Sequence, residues 1–426
     1  MRTSLRVRWW IVWTLFLSTV INYLNRQTLS VLAPVISKEF HLSHTALSHI
    51  FGSFQFAYAG SWLIGGVLLD IIGPRIGLAL AVIFWSLVSI ATAFANSVAS
   101  FTALRFLLGI GEGFNWPGAS KVVAEWFPAR ERGVAVAIFD SGSSIGGAVA
   151  ALAIPLIALA WGWRQAFIVS GVLGFLWLGI WLWAYYPLRS HPRVSPEEVA
   201  LIGEGAVTDG GATKTGWRQS IEVLKTRNAW GILLGRSLTD PTWWFYVFWL
   251  PQYLSDVRHF NLKQIAAFAW IPFVAADIGN FTGGWLSGLL IRRGIPVMRS
   301  RKLICIASCI PMLAGIPAAL VSDPYWALAL ICFALWGYAS WSTMGLTFPS
   351  DLFPPEVVGA VTGLSGFGAG LAGTGVTLLV GWIVDRFSYV PAFVILAIAP
   401  VVATICVLLL IRQPASQPVL ATPADL

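Results

Sequence analysis

Runs of about 20 apolar residues, the length that crosses a bilayer as a helix, recur along the whole chain. Read by that length, they predict twelve helical spans at 9–32, 48–69, 77–95, 99–122, 133–157, 165–187, 229–254, 264–290, 303–321, 325–349, 357–384 and 390–411. Strands of a membrane barrel alternate polar and apolar over about ten residues, and these runs are twice that length. The one long polar stretch, 188–228, carries Pro192, Pro196, Gly210 and Gly211 among mixed charges and divides six spans from six. The expected organisation is an N-terminal six-helix bundle (1–187), a cytoplasmic linker (188–228), a C-terminal six-helix bundle (229–412) and a cytoplasmic tail (413–426).

Composition agrees with that pattern. Of 426 residues, 57% are hydrophobic and 11% charged, against roughly 25% charged in a soluble domain. A soluble enzyme, a disordered chain and a disulfide scaffold are excluded. The net charge of +8 invites a nucleic-acid reading, but the positions of the charges argue for topology instead. Arg2, Arg6, Arg8, Arg130, Arg132, Arg292, Arg293, Arg299, Arg301 and Lys302 fall on the side of the termini, while Lys38, Arg164, Arg258, Lys263 and Arg386 fall on the other. The positive-inside rule then places both termini in the cytoplasm of a cell (inner) membrane protein, with no nucleic acid as partner. The first apolar run is too long for a cleaved signal and is expected to stay as helix one. Cys305, Cys309, Cys332 and Cys406 lie in spans and read as packing residues. His41, His44 and His49 cluster near an outer loop, where a solvated loop is expected and not a metal site. Neither metal nor cofactor is implied.

The 6+6 division is matched by an internal repeat. Phe127-Pro128 with Gly133 recurs as Phe353-Pro354 with Gly359, and Ala166-Phe167 recurs as Ala392-Phe393, both at an offset of 226. Gly65-Gly66 recurs as Gly283-Gly284 at 218. Two parallel six-helix halves put a ligand site between them near the bilayer midplane.

The stretch Gly66-Val67-Leu68-Leu69-Asp70-Ile71-Ile72-Gly73-Pro74-Arg75 resembles the loop motif of the major facilitator superfamily, with Ile71 where the usual basic residue follows the Asp. The C-terminal copy has Gly288 where an Asp is expected. The resemblance implies a gating clamp at Asp70 and Arg75. A narrower set of residues points further: Asn22-Tyr23-Leu24-Asn25-Arg26, RFLLGIGEG from Arg105 to Gly113, Trp126-Phe127-Pro128 with Glu131-Arg132-Gly133, and DPTWWFYVFWLPQYL at 240–254. Together they resemble the anion:cation symporter branch, especially its hexuronate and galactonate transporters. One departure is Asn25, where many members carry Asp.

Few ionisable residues lie inside the spans, and each is costly there unless paired or facing water. Arg26 has no acid within a helical turn. Arg105 and Glu112 are seven residues apart, hence on one face of a helix and about 10 Å apart along its axis. Two Arg against one Glu leave surplus positive charge, which fits an anionic ligand held by the guanidinium fork. A plain structural ion pair is the bland alternative. Arg236 and Asp240, at i and i+4, are expected to pair with each other as structure. Asp277 reads equally as a second titrating site or as part of a gate, and Asp140 as a water-facing or loop-capping group. The resemblance makes Glu112 the proton carrier and Tyr58 a binding-site tyrosine. The repeat alignment directs Tyr246 and Trp341 at the cavity, Trp341 falling 226 residues after Asn115, and Ser342 is a candidate for sugar hydroxyls.

The expected protein is an all-α major facilitator fold of twelve transmembrane helices in two pseudo-symmetric bundles. Its expected function is proton-coupled symport of a small organic anion, a sugar acid such as a hexuronate or aldonate, by alternating access as a monomer. An anion exchanger or facilitator without proton coupling is the alternative. An enzyme is not expected, because the spans hold neither His nor clustered carboxylates.

Overall fold

The structure, a computed structural model, describes residues 7–203, 225–353 and 355–412. The first half comprises α1 (Val7–Phe40), α2 (His44–Ile72), α3 (Pro74–Thr92), α4 (Val98–Glu112), α5 (Asn115–Trp126), α6 (Ala129–Trp161) and α7 (Trp163–Ala184). A short α8 (Pro196–Gly203) belongs to the linker. The second half comprises α9 (Arg227–Asp256), α10 (Leu262–Phe268), α11 (Ile271–Arg292), α12 (Val297–Met312), α13 (Gly315–Leu320), α14 (Pro324–Leu352), α15 (Pro355–Arg386) and α16 (Val390–Leu410). Nine of the described stretches are long and apolar enough to cross a membrane. Helix α2, the α4–α5 pair and α9 take the other three places, so the twelve spans expected from the sequence are all helical. The tail at 413–426 and linker residues 204–224 lie outside the described residues.

Local chemistry sets the helix ends. Ser43 caps α2 by accepting from Ala46 N, Ser97 and Ser100 form a reciprocal capping box on α4, and Asp323 caps α14 with Pro324 in its first turn. Each cap satisfies amide donors that the helix itself leaves open. Gly73 joins α2 to α3 at a φ of 76°, a backbone region that a side chain makes costly. Three of the sequence spans are each made of two helices, α4–α5, α10–α11 and α12–α13, with the first break falling at Gly113 and Phe114.

Within the first half, α1 packs on α6, α2 on α4 and α3 on α7; within the second, α11 packs on α14 and α9 on α15 and α16. The halves meet along α2–α15, α1–α9 and α6–α11. Small residues allow the first of these seams: a Cβ on Gly370 would lie 2.7 Å from the Ala59 Cβ, so the two backbones are in close approach. The seams close the molecule at the face away from the N-terminus. There the Ser30 hydroxyl donates to the Val247 carbonyl at 2.7 Å, and Phe51 stacks on Phe248 at 5.0 Å. On the opposite face, Arg8 bridges Glu131 of α6 and Glu198 of α8 at 2.9 and 2.8 Å, which fastens the linker helix to the first half.

Large apolar side chains cover the outside of the bundles, Ile71, Phe281 and Ile310 among them. Exposed tryptophans sit near helix ends, at Trp10, Trp161, Trp183, Trp230, Trp326 and Trp382. That placement is the aromatic belt of a protein whose solvent at mid-height is hydrocarbon.

Candidate functional site

Between the halves lies a cavity of about 160 Å³. Five helices direct side chains into it by ordinary helical spacing. Tyr23 and Arg26 come from α1, Tyr58 and Trp62 from α2, and Trp116 from α5. Arg236, Asp240, Trp243 and Trp244 come from α9, and Tyr338 and Ser342 from α14. Gly366, Ala369 and Gly370 of α15 leave room for them. Residues four apart share one face of a helix, which is how 58 and 62, 236 and 240, and 338 and 342 arrive together.

Arg26 is fully buried and dominates the first half's wall. Its Nε donates to Glu112 Oε2 at 3.0 Å and its Nη2 to Asn22 Oδ1 at 3.0 Å. Its guanidinium carbon lies 4.5 Å from the ring centres of both Tyr23 and Tyr58. Such ring faces stabilise a cation that has left water. Among the described residues, neither Nη1 nor Glu112 Oε1 has a hydrogen-bond partner. Arg105 stands behind this pair: it donates from Nη1 to the Arg26 backbone carbonyl at 3.0 Å, while its Nε and Nη2 are unpartnered among the described residues. Two guanidinium groups and one carboxylate are thus buried together, with donor capacity left over.

Of the residues expected on the cavity, Arg26, Tyr58 and Ser342 line it, and Glu112 touches it through Arg26. Arg105 does not line it; it supports Arg26 from behind. Tyr246 and Trp341 are placed differently from the expectation. Tyr246 packs against Phe245 and Phe393, and its hydroxyl is directed at Gly315. Trp341 donates from Nε1 to Thr404 Oγ1 of α16 at 2.8 Å. The repeat alignment explains that outcome, because the mate of Trp341, Asn115, also turns to a neighbouring helix, where it bonds Ser18 and Thr19 of α1. Asp277 sits at the α6–α11 seam, hydrogen-bonded to Ser144 and near Asp140. Asp140 accepts from the Trp116 indole at 3.0 Å, so it supports the cavity wall and caps no loop. Arg75 donates to the Tyr185 carbonyl and, at 2.8 Å, to that of Leu182, where it closes the C-terminus of α7. The Asp70 side chain lies outside the described residues.

Sequence reasoning missed Trp62, Trp116, Trp243, Trp244 and Tyr338, since tryptophans are spread through every span and only folding separates cavity from belt. It also gave Arg236 and Asp240 a purely structural role. They do pair, Nη2 to Oδ2 at 2.9 Å, but they do so on the cavity wall.

The Major Facilitator Superfamily sequence model matches residues 15–377 and 301–426. The chain is 34% identical over 400 residues to the hexuronate transporter of Escherichia coli (strain K12), covering 93% of this chain and 92% of that one. It is 32% identical over 324 residues to the galacturonate transporter of Dickeya chrysanthemi, covering 76% and 94%. Its fold is similar to the inward open conformation of the xylose transporter XylE from E. coli, with a TM-score of 0.71, 15% identity and coverage of 96% and 98%.

Proposed function

The chain belongs to the major facilitator superfamily, a multi-pass membrane transporter and not an enzyme, and from that premise we propose that it carries a sugar acid by proton-coupled symport. One observation supports this reading above the rest. A fully buried Arg26, with Nη1 unpartnered, lines the cavity between the halves, where an anion's carboxylate gains a charge-assisted bond out of competition with water. The relatives named for hexuronate and galacturonate suggest the class of anion, and the aromatic walls suit the C–H faces of a sugar.

Coupling follows from the Arg26–Glu112 bond. While Glu112 is ionised, it holds part of the Arg26 charge. Protonating Glu112 frees that charge for the substrate carboxylate, so proton and anion favour each other's binding, and by linkage the effect is reciprocal. Arg105 positions Arg26 through its backbone, and Asp277 is the second candidate for a titrating group. Alternating access then moves the bundle at 1–187 against that at 229–412, joined by the linker, with Asp70 and Arg75 gating the face that carries the termini. That face is read as cytoplasmic from the placement of Arg and Lys.

The test is binding to the purified protein followed by thermal shift, since a ligand that binds the folded state raises apparent stability by mass action. Glucuronate and galacturonate are expected to raise the melting temperature, and glucose is expected to leave it unchanged. Equal stabilisation by glucose would overturn the anion reading. Uptake into proteoliposomes that ignores an imposed pH gradient would favour exchange or facilitation without protons.

A further inference from the structure

Across the cavity from Arg26, α9 presents a second polar pole of a different kind. Asp240 is 6% exposed. Its Oδ2 accepts from both Nε and Nη2 of Arg236, at 3.1 and 2.9 Å, while Arg236 Nη1 donates to the Ser365 hydroxyl at 3.2 Å. Each Arg236 nitrogen therefore has a partner within the protein, and its charge is matched one for one by Asp240. The remaining carboxylate oxygen is another matter. Among the described residues, Asp240 Oδ1 is buried with no hydrogen-bond partner of its own, on a side chain that lines the cavity beside Tyr338. The Tyr338 hydroxyl stands within hydrogen-bonding reach of this carboxylate, but a buried carboxylate oxygen short of donors is costly and has room for more than one, so a ligand in the cavity can supply the donor still wanting.

The chemistry of the missing partner is narrow. It must be a hydrogen-bond donor that tolerates adjoining negative charge, and an alcohol hydroxyl meets both conditions. A second carboxylate does not: it brings only acceptors at neutral pH, and it would face the like charge of Asp240, which already balances that of Arg236. The flanking walls fit the same picture, with Trp243 stacked on Tyr338 at 5.7 Å and 11° between planes. Such aromatic walls suit the apolar side of a sugar, leaving its hydroxyl edges to the polar groups.

We propose that Asp240 is the specificity-determining residue of this site, accepting a hydroxyl from the end of the sugar acid that carries no carboxylate and excluding dicarboxylic sugar acids. This deepens the sugar-acid reading and rests on it. Arg26 identifies one end of the ligand as an anion, and Asp240 requires the other end to be neutral and donating. Arg236 is a positioning residue that holds the Asp240 carboxylate in place.

The experiment measures affinities of the purified full-length protein for glucuronate and for glucarate, which share a carbon skeleton and differ in whether C1 is a carboxylate. Wild type is expected to prefer glucuronate by about 100-fold or more, because like charges placed face to face in a binding site are strongly disfavoured. Asp240→Asn removes the repulsion and releases Arg236, so glucarate binding should rise, glucuronate binding should fall several-fold, and the ratio should narrow by about tenfold or more. Asp240→Ser guards against a folding defect in the Asn variant and should narrow the ratio in the same direction, whereas Asp240→Glu should keep the rejection of glucarate. A helix pair of purely structural importance would alter the melting temperature and leave the ratio alone. Glucuronate binding with an unchanged ratio in both neutral variants, or with no preference in wild type, would overturn the role of Asp240 and leave the sugar-acid reading standing. Binding of neither sugar acid by wild type would overturn both.

Discussion

Arg26 is constrained in three ways: by Glu112 through charge, by Asn22 through hydrogen bonding and by the faces of Tyr23 and Tyr58 through their quadrupoles. Removing the fork while keeping the charge isolates the first of these. Arg26→Lys is expected to weaken binding by about tenfold or more, because an ammonium cannot hold Glu112 and meet the substrate carboxylate with the fixed geometry of the guanidinium fork, and calorimetric titration with glucuronate reads it directly. Glu112→Gln copies the protonated carboxyl and should retain binding and exchange while losing accumulation driven by a pH gradient. Equal accumulation by that variant and wild type in proteoliposomes would remove Glu112 as the carrier. Part of this was legible in the sequence, since so few ionisable residues fall within spans that Arg26, Arg105 and Glu112 stand out. Arg236 and Asp240 were equally visible, but an i,i+4 pair looks satisfied on paper. Only the fold reveals that one Asp240 oxygen is left over and that it belongs to the cavity wall.

Helix ends carry chemistry that hydropathy does not read. His41, His44 and His49 look like a solvated loop cluster in sequence, yet His44 opens α2 ahead of its apolar span and ties together three helices at the closed face. Its Nε2 meets Asp256 Oδ2 of α9 and its Nδ1 meets Asp385 Oδ1 of α15, both at 2.8 Å. Asp385 also accepts the amides of His44 and Thr45, and Asp256 accepts from the Tyr389 hydroxyl and from Gln252. Two ionised carboxylates can only accept, so the arrangement is fully hydrogen-bonded when both ring nitrogens donate, that is, when the ring is an imidazolium. Burial works against the charged ring, but Asp256 and Asp385 outweigh it and raise its pKa above the ordinary value. A raised folded pKa gives stability that is fully present below about 6.5 and is lost as pH rises through the folded value. The difference in melting temperature between wild type and His44→Gln should therefore be largest in mild acid, corresponding to about 1 kcal/mol, and should fade in alkali. A constant difference across that range would mean that His44 acts by shape alone. The partner helices lie 212 and 341 residues away along the chain, which is why no local reading could find the latch. Helix breaks are a related case. Gly113 and Phe114 interrupt what reads as one apolar span, and the break starts α5, which delivers Trp116 to the cavity.

At the scale of the whole molecule, the repeated Phe-Pro, Ala-Phe and Gly-Gly landmarks made two similar halves legible, and the seam between them is where the cavity lies. The charge balance of a transport cycle belongs to this scale too. Asn25 is fully buried, and its side-chain amide donates to the Ile21 carbonyl at 3.0 Å. It cannot titrate where many relatives of the resembled branch have an Asp, so Glu112 is the proposed proton site of the first half. One proton moving with one monovalent anion carries no net charge, whereas two protons would carry one positive charge per cycle. Moving that charge through 100 mV is worth about 2.3 kcal/mol, close to a fifty-fold change in accumulation. The proposed symport is therefore expected to be electroneutral, driven by the pH gradient and nearly indifferent to membrane potential. Asn25→Asp adds a second carboxylate beside Arg26 and is expected either to introduce voltage dependence or to block the site by pairing with the arginine. Proteoliposomes clamped at a potential with no pH gradient decide the matter for wild type. Strong accumulation under that clamp would mean that a second proton travels, and Asp277, hydrogen-bonded across the seam to Ser144, would be the group to test next.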